Sequence, residues 1–222
     1  MLTTESTATI KARYRAIQDE IERNCSLVSR DPASVTLIAV SKTQSADNVR
    51  KLYDLGHRQF GESRLQELQP KAEALPQDID WHFIGSLQSN KVRRVAEICS
   101  TIHTIDSESQ IKEFSKLSKP IRVLIEVNIA KEEQKSGIFP KSLDVLYESV
   151  IQSTLVEFRG LMTIGPIVRE AEDIRPYFAE MRRLNEKIGA DWLSMGMSEN
   201  FDVAIQEGAT HIRVGTSLFG ER

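Results

Sequence analysis

The order of elements predicts a (β/α)8 TIM barrel, class α/β. Three observations predict it. Eight short apolar runs recur at a mean spacing of about 25 residues, with helical patterns between them. No Pro/Gly/Ser-rich linker or low-complexity tract interrupts the series. The turn after the first run, Ser41-Lys42-Thr43-Gln44, has no glycine. A doubly wound open sheet, the competing architecture, usually has a Gly-rich phosphate turn there.

An extra helix comes first, over roughly residues 5–29. Ile10, Tyr14, Ile17 and Ile21 fall at spacings of four, three and four, which makes one apolar stripe. Asp31-Pro32 stops it. The first strand is Val35 to Val40, followed by a helix through about Leu55 with Gly56 as its stop. His57 to Phe60 is the second strand, closing at Gly61-Glu62. Trp81 to Ile84 is the third, closing at Gly85. Thr101 to Ile105 is the fourth. Asp106-Ser107 then opens a helix, and Ser107 with Gln110 has capping-box spacing. Ile121 to Asn128 is the fifth strand, and Leu155 to Ile164 contains the sixth. A long helix runs from about Glu170 to Ile188. Trp192 to Ser194 is the seventh strand and His211 to Val214 the eighth. The chain divides as a single domain, 1–222, with an N-terminal helical segment over 1–34 and the barrel over 35–222.

Composition excludes several classes. Of 222 residues, 40% are apolar and 27% charged, a globular balance rather than a disordered one. The formal net charge of −3 gives no global pull toward nucleic acid or an anionic membrane. Two cysteines, Cys25 and Cys99, make at most one disulfide. The four histidines, His57, His82, His103 and His211, are scattered, with no close pair at metal-ligand spacing, so no metal site is expected. The polar start, MLTTESTATIK, lacks the basic and apolar regions of a signal peptide. No apolar run is long enough to span a bilayer. The expectation is a cytoplasmic protein. No long apolar heptad marks a dimer seam, so a monomer is expected.

In a barrel the chemistry lies at the C-terminal strand ends. Lys42 follows Ile38 and Val40 at period two and shares their face of the strand. If that face points inward, Lys42 stands at the mouth, where a partly desolvated lysine can attack a carbonyl and form a Schiff base. The bland alternative is a lysine reaching into water. Barrels often hold a phosphate between the loops after strands seven and eight. Gly196 and Ser198 follow the seventh strand here, and Gly215 and Thr216 the eighth. Glycines let backbone N–H groups approach phosphate oxygens, and hydroxyls add donors. Arg213 shares the face of Gly215, and an inward arginine needs an anionic or acceptor partner. That partner could equally be a structural carboxylate. A Schiff-base lysine, a phosphate cup and an arginine at one mouth together describe pyridoxal 5′-phosphate, with its ring nitrogen at Arg213. Ser63, Asn128 and Met162, at other strand ends, are further candidates for cofactor contact, as is Gly196.

Many segments carry a resemblance. They include Leu37-Ile38-Ala39-Val40-Ser41-Lys42-Thr43, Phe60-Gly61-Glu62-Ser63-Arg64 and His82-Phe83-Ile84-Gly85-Ser86. Glu126-Val127-Asn128, Gly160-Leu161-Met162-Thr163, Ser194-Met195-Gly196-Met197-Ser198 and Arg213-Val214-Gly215-Thr216 follow. From about residue 35 to the end, the sequence resembles the pyridoxal-phosphate-binding homeostasis proteins, the YggS/PROSC family. That family shares its fold with the barrel domain of bacterial alanine racemase. The resemblance implies the cofactor on Lys42, its phosphate at Ser198, Gly215 and Thr216, and its pyridine nitrogen at Arg213. It implies a role in vitamin B6 and amino-acid homeostasis, with PLP-dependent enzymes as possible recipients. Two departures stand out: the family usually has Asn at Ser63 and Asp at Asn200. The basic run Lys91, Arg93, Arg94 matches a lysine-bearing family segment, or else is a solvated helix face.

A racemase needs a second base opposite the lysine. In alanine racemase a tyrosine of a separate C-terminal β domain supplies it, and the chain's end at Gly220-Glu221-Arg222 leads us to expect no such domain. The four tyrosines, Tyr14, Tyr53, Tyr147 and Tyr177, fall in predicted helices. An arginine at the ring nitrogen also weakens the ring as an electron sink. The expectation is therefore a cofactor holder with no established catalysis. The alternatives are a PLP-dependent racemase or lyase, and a sugar-phosphate barrel using Lys42.

Overall fold

The computed structural model describes residues 5–220. The four N-terminal residues and the last two, which bear on the expectations about a leader and the chain's end, lie outside the described residues.

Eight parallel strands close into a barrel in chain order, β1 pairing with both β2 and β8. The strands are β1 Thr36–Val40, β2 Gln59–Glu62, β3 Asp80–Phe83, β4 Thr101–Ile105, β5 Ile121–Glu126, β6 Val156–Met162, β7 Trp192–Met197 and β8 His211–Val214. The helices are α1 Thr7–Leu27, α2 Ala46–Asp54, α3 Leu65–Ala74, α4 Val92–Ile98, α5 Glu108–Phe114, α6 Leu143–Ile151, α7 Arg175–Lys187, α8 Phe201–Gln206 and α9 Thr216–Phe219.

The strands alternate as barrel strands must. Leu37 and Ala39, Phe60, Trp81 and Phe83, Val123 and Ile125, Leu193, and Ile212 and Val214 join the apolar layer under the helices. The residues between them face the interior. Close packing there is visible at Gly61, where a Cβ would stand 2.8 Å from Ile38 and 3.1 Å from Ile84.

The extra helix α1 buries Ile10, Ile17 and Ile21, as the stripe predicts, with Tyr14 half-buried beside them. The Ser6 side chain accepts from Thr9 N at its start. Its far end is tied by Arg30, which donates to the carbonyls of Ile205 and Ala209. Ser107 and Gln110 form the expected capping box.

Several boundaries differ from expectation. β7 runs on to Met197, so Met195 and Gly196 lie in the strand rather than in a loop after it. β5 ends at Glu126, because Asn128 turns to hold the following loop. β2 begins at Gln59, since His57 N–H bonds back to Leu52 O of α2. A 3-10 turn, Ala171–Ile174, precedes α7 where helix was expected from Glu170.

The histidines are the larger correction. Scattered in sequence, His82, His103 and His211 meet in the barrel interior, with ring centroids 5.1–6.3 Å apart. They sit on strands brought together only by closure. Among the described residues no cluster could hold a metal ion, and no helix is long and apolar enough to cross a membrane.

Candidate functional site

A cavity opens at the C-terminal mouth of the barrel. Its wall includes Val40, Lys42, Ser63, Arg213, Gly215 and Thr216, together with Ser198. Six candidates from the sequence, Lys42, Ser63, Ser198, Arg213, Gly215 and Thr216, are therefore brought together. Gln44, Ile84, Ile164, Met197, Glu199 and Gly220 complete the wall.

Three candidates do not line it. Asn128 is a loop clamp: its Nδ2 donates to the carbonyls of Glu132 and Lys135, and its Oδ1 accepts from Glu132 N. Met162 is fully buried at the end of β6. Gly196 acts through what it lacks. Its φ is +91°, and a Cβ would stand 2.5 Å from Ala204 Cβ and 3.0 Å from Phe201 Cα. Glycine there lets α8 lie close against β7.

Lys42 sits on a turn, two residues past the end of β1, with Ser41 N still bonded to Gly61 O. Gln44 N bonds back to Ser41 O, closing the turn. Thr43 takes φ +64°, a left-handed conformation that a β-branched residue avoids at a cost of about 1–3 kcal/mol. Charged groups hold this turn from behind. Lys71 of α3 donates to Ser41 O at 2.7 Å and to Glu62 Oε1 at 2.6 Å. Ser41 Oγ donates to the same Glu62 oxygen. Glu67 Oε2 accepts from Thr43 N at 2.6 Å. Burial pushes the Glu62 carboxyl up, and the Lys71 ammonium counters it. Glu62 Oε2 is buried with no hydrogen-bond partner.

The adjoining wall is the loop pair after β7 and β8, β8 being the neighbour of β1. Ser198 Oγ accepts from the N–H groups of Gly215 and Ser217, both at 3.3 Å. With its lone pairs engaged, the hydroxyl is left to donate outward. Gly215 packs beside Val40: a Cβ there would stand 3.4 Å from the Val40 side chain, at ordinary contact distance. Asn200 caps this loop through Oδ1, which accepts from Met197 N. An aspartate at that position would accept the same bond, so the departure at Asn200 preserves the geometry.

Arg213 forms part of the wall from below and is only 5% exposed. Its Nη1 donates to Ser194 Oγ at 2.7 Å and its Nη2 to Thr163 O at 2.8 Å. Burial lowers its pKa to about 10, partly offset by Glu126, so it stays cationic at neutral pH. Glu126 is itself raised to about 7, by burial first and by the charge of Asp106 next. The bland reading, a structural arginine with a carboxylate partner, is thus only half met: Glu126 acts at a distance and the hydrogen bonds go elsewhere.

Beneath Arg213 runs a polar chain. With the Gln59 amide oxygen placed toward His82, His82 Nε2 donates to it at 2.6 Å. Burial holds His82 neutral, with its pKa down to about 4. Its Nδ1 then accepts from His103 Nε2 at 2.8 Å. His103, also driven well down by burial, accepts at Nδ1 from Ser194 Oγ at 3.0 Å. Every donor in this chain finds an acceptor. Sequence reading missed it. The inward parity of His82, His103, Ser194 and His211 was its only signal.

These features define a class: barrels of the alanine racemase type, with a lysine and a set of hydroxyls and glycines around one cavity at the strand ends. The chain matches the family described as "Alanine racemase, N-terminal domain" over residues 17–222. It is 39% identical, over 95% of its own length and 97% of the relative's, to a protein of Aquifex aeolicus named "Pyridoxal phosphate homeostasis protein". A solved structure of a protein from Bifidobacterium adolescentis, described as unknown, superposes with a TM-score of 0.90 at 30% identity, covering 99% and 98% of the two chains. PipY of Synechococcus elongatus, solved with PLP bound, superposes with a TM-score of 0.77 at 37% identity, covering 90% of this chain and all of that one. The chain belongs to the family of pyridoxal phosphate homeostasis proteins.

Proposed function

We propose that this chain binds pyridoxal 5′-phosphate in the mouth cavity and acts in cytoplasmic vitamin B6 homeostasis as a holder of the cofactor. One observation carries the proposal. Lys42, Ser198, Gly215 and Thr216 line a single cavity, with the buried Arg213 in the same wall. The PLP-bound relative adds support.

The residues fit the group. Ser198, whose hydroxyl is held by the N–H groups of Gly215 and Ser217 and so donates outward, and the hydroxyl of Thr216 on the same wall suit a phosphate. Arg213, fixed by Ser194 and Thr163, would donate to the pyridine nitrogen without yielding its proton. Lys42 would supply the amine for the Schiff base. When bound, the cofactor supplies an aldehyde and an electron-withdrawing ring. Ser63 lines the wall and would contact the ring's edge.

The holder reading is favoured by what the wall offers for proton transfer. Among the described residues its lining includes no tyrosine and no histidine. The four tyrosines lie in α1, α2, α6 and α7. Among the described residues, Glu199, exposed on the rim, is the one carboxylate on the lining. It keeps alive the second reading, an amino-acid racemase or lyase. The two separate by α-proton exchange of L-amino acids in D2O, followed by NMR. A holder exchanges at background rate. Exchange at ordinary enzyme rates that is lost in Glu199→Gln would establish the second reading instead. Delivery to recipient enzymes as a monomer completes the proposal.

A further inference from the structure

Two peptide groups flank the Lys42 Cα, and each is gripped by a charged side chain from outside the barrel. The carbonyl of the first, Ser41 O, accepts from Lys71 Nζ. The N–H of the second, Thr43 N, donates to Glu67 Oε2. Lys71 and Glu67 are one helical turn apart on α3, with Nζ and Oε2 3.9 Å apart. Glu62, at the end of β2, anchors Lys71 from the sheet and binds the Ser41 hydroxyl as well. Glu62 is fully buried and Lys71 is 7% exposed. A buried pair like this is a poor source of stability compared with apolar packing. Its geometry is specific instead: the bonds to Ser41 and Thr43 converge on the turn that carries Lys42, where β1 gives way to irregular backbone.

We propose that Lys71, Glu67 and Glu62 are positioning residues for Lys42, holding its Cα so that its amine meets the cofactor aldehyde. This rests on Lys42 being the Schiff-base lysine. Without the grip, Thr43 is free to leave its left-handed conformation and the turn relaxes. A lysine whose attachment point wanders by about an ångström loses reactive geometry steeply. The Ser198–Gly215 cup lies on other strands and would be untouched.

The test compares Glu67→Ala, Glu67→Gln and Lys71→Met with the wild-type chain. Two quantities are read: the rate of Schiff-base formation with pyridoxal 5′-phosphate, and affinity for pyridoxine 5′-phosphate. The second compound carries an alcohol where the first has its aldehyde, and cannot form the link. In Glu67→Ala and Lys71→Met, link formation should slow by about tenfold or more while analogue affinity stays unchanged. Glu67→Gln keeps an oxygen for Thr43 N–H and should restore the wild-type rate. Should Lys71→Met fail to fold, the Glu67 pair decides alone. Link formation at the wild-type rate in folded Glu67→Ala overturns the inference, as does a parallel loss of analogue binding. Absence of any link at Lys42 in the wild type overturns the Lys42 assignment, and this inference with it.

Discussion

Lys42 stands exposed on the wall of the mouth cavity, where Val40 and Arg213 are buried. Its place was legible from sequence because period two carries the face of Ile38 and Val40 to it. Ser198, Gly215 and Thr216 were legible from the usual phosphate position in barrels. Arg213 was legible as an inward residue, but its partners were not. Ser194 and Thr163 are far from it in sequence, and only closure of β6, β7 and β8 brings them to it. The Lys71–Glu67 pair looks in sequence like a solvated i,i+4 surface pair, so its grip on the Lys42 turn was hidden. Lys42→Ala tests the division of labour at this scale. It should abolish the covalent link yet keep measurable binding of pyridoxal 5′-phosphate by equilibrium dialysis. Complete loss of binding would mean that the phosphate cup lies elsewhere.

At the scale of elements, strand existence was read well and strand ends less well. The eight apolar runs are the eight strands, because each pairs its outward residues with a helix layer. The seventh was cut short at Ser194 because Gly196 and Met197 read as a loop. They are strand residues that bulge: the pairing to β8 shifts register between Ser194 and Met197. Gly196 makes this possible by its positive φ and by letting Phe201 and Ala204 approach. Gly196→Ala should therefore cost roughly 2–4 kcal/mol, from a strained backbone and an overpacked contact. Urea denaturation would measure it, and a midpoint equal to wild type would contradict this account of β7 and α8. The fifth strand was overrun by two residues because Val127-Asn128 is apolar-polar like the strand before it. Asn128 instead closes the loop that follows.

For the whole molecule, the buried histidines dominate the response to acid. Burial lowers His57 and His82 to about 4, His211 to about 3, and His103 well below its usual value. Unfolding releases them to a pKa near 6.5. Between these values the unfolded chain binds more protons, so stability falls as pH falls from about 6.5 toward 4. Glu126, raised to about 7, works the opposite way between about 4.5 and 7, as the unfolded chain there holds fewer protons on it. Glu62 and Asp106, also raised by burial, add to that opposition. The partial cancellation should flatten the upper part of the range and leave the steepest loss between about pH 5 and 4. Chemical denaturation at a series of pH values checks this. A stability that rises on acidification through that window would contradict the neutral histidine chain. None of it was legible in composition, where four scattered histidines carry no pattern.

The central claim is that Lys42 holds pyridoxal 5′-phosphate against the cup of Ser198, Gly215 and Thr216. It is tested most directly by incubating the protein with the cofactor, reducing with borohydride and mapping the label by peptide mass spectrometry. A yellow protein before reduction and a single phosphopyridoxyl adduct on Lys42 after it are expected. A colourless protein with no adduct, or a label on another lysine with Lys42 unmodified, would contradict it.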